Sequence, residues 1–61
     1  MDYELAQNLL DHCDIDTLAE YMDDEIRERV HEQYAPCSDL MFVAHYISQH
    51  RAKYDKDFTV D

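Results

Sequence analysis

Apolar residues recur along this chain with the period of a helix, in blocks separated by polar breaks. In the first block Leu5, Ala6, Leu9, Leu10 and Cys13 fall at i, i+1, i+4, i+5 and i+8, which places them on one helical face. Asp2 stands where an N-cap belongs. The stretch Asp11–Asp16 then interrupts the pattern, because closely spaced Asp side chains compete for backbone N–H groups and favour caps and turns. A second block, Ile15, Leu18, Ala19, Met22, Ile26, Val30 and Tyr34, keeps helical spacing without a gap and predicts one long helix of roughly five turns. Its start lies between Asp14 and Thr17, with Thr17 and Glu20 at capping-box spacing and Asp14 or Asp16 as alternative caps. Asp23 with Arg27, and Glu25 with Arg29, form i,i+4 pairs in the acid-first order that supports a helix.

Pro36 cannot continue a helix and pushes Ala35 toward extended geometry, so Ala35–Asp39 reads as a connection. Ser38 is the N-cap expected for a last helix running to Lys53 or Tyr54, with Asp39 in its first turn and Arg51 and Lys53 in its last. Residues 40–47, LMFVAHYI, are apolar around more of the circumference than a simple amphipathic stripe requires. Something beyond the two preceding helices is expected to cover them. The tail holds Phe58 and Val60, for which an extended return to the core and a frayed end are both open. The reading is an all-α fold of two or three helices in a single domain, residues 1–61: a short N-terminal helix, a long acidic helix, the Pro36 connection and a C-terminal helix.

Composition narrows the picture. The chain has 61 residues and no glycine, so hairpin dipeptides and the glycine-rich loops that cradle phosphates are both excluded. A chain this short buries only about 60% of the surface exposed on unfolding. That marginal core favours self-association, and a homodimer is expected. No apolar run approaches 18 residues and no basic segment leads into an apolar one, so a cytoplasmic protein without membrane span or secretory signal is expected. In a reducing compartment Cys13 and Cys37 read as free thiols.

The formal charge of −10 is unevenly placed. Residues 1–32 hold eleven acids and two bases, a balance of −9, and residues 33–61 carry only −1. Direct nucleic-acid binding through a basic patch is disfavoured. Glu20, Asp23, Asp24 and Glu28 form a candidate acidic face for a basic partner; the alternative is an ordinary solvated helix face.

The residues that could carry chemistry lack the spacing for it. His12, Cys13, His31, Cys37, His45 and His50 make no zinc motif, the calcium-loop glycine is missing, and no metal or cofactor is expected. Either cysteine would need an imidazole and a third orienting group in a pocket, and no catalytic residue is expected in so shallow a domain. Five tyrosines and two phenylalanines are a large aromatic supply. Phe42, Tyr46, His50 and Tyr54 follow one stripe of the last helix and are the candidate interface, with core lining as the other reading.

Ala35, Pro36, Cys37, Ser38, Asp39, Phe42, Tyr46, His50, Lys53, Tyr54 and Phe58 together form a pattern that resembles small acidic accessory proteins of temperate, lambdoid bacteriophages. There, an Ala-Pro-Cys-Ser/Thr-Asp linker caps an aromatic helix, and the size and acidity suit the early recombination-to-excision interval. The resemblance covers the C-terminal part and brings no catalytic motif. It implies a non-enzymatic protein acting through protein contacts in phage development or host regulation, on an unnamed host or phage partner. The second reading is an acidic DNA mimic that occupies a nucleic-acid-binding protein.

Overall fold

The computed structural model describes residues 1–60. They form α1 (Tyr3–His12), α2 (Ile15–Tyr21), α3 (Asp24–Tyr34) and α4 (Asp39–Tyr54), with no strand among the described residues. Each helix begins on a side chain that accepts the N–H three residues ahead: Asp2 from Leu5, Asp14 from Thr17, Asp23 from Ile26 and Ser38 from Met41, at 2.8–3.2 Å. Four short helices are thereby started by four local devices.

The single helix predicted across residues 15–34 is two helices. Met22 and Asp23 are extended at the break, and the Asp23 side chain caps α3 in place of a continuing turn. Apolar spacing could not reveal this, because Leu18, Met22, Ile26 and Val30 keep their four-residue interval across the junction and all four are buried. Arg27 closes the gap from the α3 side, donating at 3.0 Å to the Ala19 carbonyl at the end of α2, which also accepts the Met22 N–H.

α4 is the centre of the fold. It packs against α1 and α3, while α2 packs on α1. Val43, Ala44, Tyr46 and Ile47 are fully buried, which accounts for the apolar circumference of residues 40–47. α1 and α3 cover part of this surface, and the cover expected beyond the preceding helices comes from the tail, where Phe58 is buried. Near the Pro36 connection the Tyr34 and His45 rings stack, centroids 3.6 Å apart, and tie the end of α3 to α4.

α4 ends at Asp55, whose φ of 57° is the left-handed cap usually given to glycine. Asp is among the few other residues that enter this region readily. The turn sends the chain back over α4, and Phe58 enters the core at 4% exposure. Of the two outcomes open for the tail, the extended return is the one observed. Arg51 fixes both ends of the chain to α4 by pairing with Asp57 and, at 2.9 Å, with Asp2.

Candidate functional site

The four aromatic candidates on α4 have different fates. Tyr46 is wholly buried, with its ring set edge-on to Phe58 at 4.9 Å and its hydroxyl accepting the Asp23 N–H at 2.8 Å. His50 is buried as well. Its Nδ1 lies 2.9 Å from the Lys56 carbonyl, which can only accept, so Nδ1 carries the proton. The core-lining reading therefore describes Tyr46 and His50. Tyr54 is exposed, and its hydroxyl donates to the Asp23 carboxylate. Phe42 is half-buried: one side packs on the core and the other faces a groove against α3.

Asp23 is the most heavily engaged acid. It caps Ile26, accepts from Tyr54 and pairs with Lys53 at 3.1 Å. The Tyr54 hydroxyl first, then the Ile26 N–H and the Lys53 ammonium, hold its carboxyl well below the usual carboxylate range. The same contact raises the Lys53 ammonium. Asp23 thus knots the α2–α3 junction to the end of α4. Its expected i,i+4 partnership with Arg27 is replaced by an Arg27–Asp24 pair one residue on, because the Asp23 carboxylate faces α4. The Arg29–Glu25 pair forms as expected at 2.9 Å.

The acidic candidates are consequently divided. Glu20 lies on α2, beyond the break. Asp23 has only 21% of its side chain exposed, whereas Asp24 has 84% exposed and is paired with Arg27. Glu28 is exposed on α3. One turn further on, Glu32 shares its face of the helix and was not singled out by sequence reasoning, although the i,i+4 interval from Glu28 was there to be read. Among the described residues Glu20, Glu28 and Glu32 enter no ion pair. By contrast, Arg27, Arg29, Arg51 and Lys53 each hold at least one carboxylate.

Glu28 and Glu32 join Arg27, His31 and Phe42 around a groove of about 470 Å³ between α3 and α4. Its lining is one aromatic ring from α4 and, from α3, two carboxylates, a guanidinium and an imidazole. Among the described residues no three His, Cys, Asp or Glu side chains gather closely enough to hold a metal ion. Cys13 is half-buried, Cys37 is exposed, and both are free thiols. No described helix is long and apolar enough to cross a membrane.

No curated protein and no solved structure matches the chain. A family model does match, described as "Anti-CRISPR protein AcrIC5", over residues 10–58. That span runs from the end of α1 through Phe58, taking in α2, the Asp23 junction, the groove and the aromatic stripe of α4. The match fits the small phage accessory protein that the Ala35–Phe58 pattern resembles, and it covers most of the sequence: the chain belongs to the anti-CRISPR protein AcrIC5 family.

Proposed function

We propose that this protein inhibits a host CRISPR complex by binding it, without catalysis, and that the acidic exterior of α2 and α3 is the surface applied to the partner. The observation that carries the reading is the allocation of charge. Arg27, Arg29, Arg51 and Lys53 are each engaged by a carboxylate, Arg51 and Lys53 across elements and Arg27 and Arg29 within α3, which leaves Glu20, Glu28 and Glu32 exposed and in no ion pair among the described residues. RNA-guided complexes hold nucleic acid in positively charged channels and read its backbone there. A carboxylate-studded surface fits such a channel, which favours the DNA-mimic form of inhibition over an apolar docking mode. Asp24 and Glu25 are offset by Arg27 and Arg29, so the uncompensated carboxylates of α3 are Glu28 and Glu32, about 6 Å apart along the axis, a local rather than continuous likeness to a phosphate backbone. One strand of duplex DNA presents one charge per roughly 3.4 Å. Site of action would be the host cytoplasm, and the early expression implied by the phage resemblance suits a protein that must occupy its target before the target cuts. Tyr46 is buried and closed to a second copy, whereas Tyr3, Tyr21, Tyr34 and Tyr54 are exposed.

The test is binding of the chain to the purified complex, measured across salt and in competition with a cognate DNA duplex. Affinity should fall on the order of tenfold or more between 0.1 and 0.5 M salt, and bound duplex should be displaced. Salt-independent binding that leaves the duplex in place would reject the acidic-face reading.

A further inference from the structure

We propose that the α3–α4 groove is a seat for an arginine side chain of the partner protein. This rests on the reading above and names the basic group that the acidic exterior accepts. The groove has about 470 Å³ of space, within the range of roughly 300–1,000 Å³ over which protein pockets enclose small ligands. Phe42 lines its α4 side and packs on the buried core. Glu28 and Glu32 stand on its rim one helical turn apart, about 6 Å along the axis. Neither forms an ion pair among the described residues, so both carboxylates are available to an incoming cation. The one cation on the rim, Arg27, is already engaged, with Nη1 on the Ala19 carbonyl and Nη2 on Asp24, each at 3.0 Å.

These parts discriminate between the two cationic side chains. A guanidinium is planar, weakly hydrated and able to lie on an aromatic face while its edge donates to carboxylates. An ammonium is a compact, strongly hydrated point charge that gains less from the ring. An acidic surface alone would take either; an aromatic ring and two carboxylates lining one groove favour arginine. The groove therefore gives the acidic exterior an anchor point, where one partner side chain is desolvated instead of merely attracted.

The experiment is an amide-shift NMR titration of the full chain with ethylguanidinium and, separately, ethylammonium at fixed ionic strength. Ethylguanidinium should move the Glu28, His31, Glu32 and Phe42 signals first, and should bind about threefold more tightly than ethylammonium, the ratio an exposed cation–π contact supplies. Phe42→Leu keeps an apolar side chain against the core but removes the ring, and should erase that preference. Glu28→Gln with Glu32→Gln should weaken both probes and leave the helical signals in place. Equal binding of the two probes, shifts spread evenly over Asp11, Asp16 and Glu20, or a preference that survives Phe42→Leu would overturn the proposal. Because no CRISPR complex is present, a negative result here leaves the inhibitor reading standing, whereas failure of the chain to bind the complex would remove the partner and leave only the guanidinium preference of the groove.

Discussion

Replacing Phe58 with alanine should remove much of what holds the chain folded. The ring is 4% exposed, meets Tyr46 edge-on at 4.9 Å and lies 5.7 Å from the His50 ring. In a rigid core a Phe→Ala change costs about 3–5 kcal/mol, part of it for the cavity left behind. Here the residue sits on a terminal arm that can relax, which lowers the expected cost to about 2–4 kcal/mol. The edge-on contact accounts for roughly 0.5–1.5 kcal/mol of that. At about 0.05–0.15 kcal/mol per residue, a chain of 61 residues has a total stability of only about 3–9 kcal/mol. A urea titration followed by far-UV circular dichroism should therefore show a large drop in midpoint. With a denaturant slope of about 1 kcal/mol/M the decrease is about 2–4 M. Phe58→Leu retains apolar volume and should lose only about 1 kcal/mol. A midpoint for Phe58→Ala within about 0.5 M of the parent would refute the reasoning. It would mean that α1, α3 and α4 form a complete core without the tail.

Two further outcomes follow from the Asp23 knot. The Asp23, Asp2 and Asp14 carboxyls are all held below the usual carboxylate range by the hydrogen bonds they accept, so the unfolded chain binds protons more readily at these sites. Their contribution to stability is complete above an unfolded value of about 4 and is lost as pH falls through the lower folded values. Melting temperature should drop between pH 5 and pH 2, less steeply for Asp23→Asn, which keeps a capping oxygen but cannot hold a titrating carboxylate against Lys53; equal slopes would count against the knot. Tyr46→Phe keeps the ring packed but strands the Asp23 N–H, and should lower stability by about 1–3 kcal/mol in the same urea assay. An unchanged midpoint would show that water satisfies that amide.

Much of this fold was legible from residue spacing. Asp2 and Ser38 were readable as caps because each is a short acceptor standing just before an apolar period, Asp14 was one of three alternatives beside Thr17 and Asp16, and Pro36 forced the boundary at Ala35. The division of α2 from α3 was not legible. A two-residue extended break returned the next helix at an interval that preserves the four-residue apolar spacing, so Leu18, Met22, Ile26 and Val30 read as one stripe. Asp23 looked like a solvated i,i+4 partner for Arg27 because the ligands that claim it, Lys53 and Tyr54, are some thirty residues away. Contacts of that separation leave no mark on local periodicity. How the aromatic stripe divides was not legible for a related reason. Helical spacing puts Tyr46, His50 and Tyr54 on one face, but only the turn at Asp55 determines that Phe58 covers the first two and leaves the third exposed.

The charge asymmetry acquires a physical cause in the tertiary structure. Arg51 joins the N-terminal cap of α1 to the tail, Lys53 joins the α2–α3 junction to the end of α4, and Arg27 and Arg29 close local pairs on α3. Arg51 and Lys53 sit where separate elements must be held together, and each draws in an acid from the crowded N-terminal half. What remains on the outer faces of α2 and α3 is carboxylate whose mutual repulsion opposes folding. Exposed ion pairs add little stability, so this allocation does not make the protein notably robust. It does separate the residues that maintain the fold from those available to a partner. Neutralising Glu28 and Glu32 should therefore leave the helices intact, whereas neutralising Asp23 should loosen them, although sequence alone placed Asp23 and Glu28 on the same acidic face.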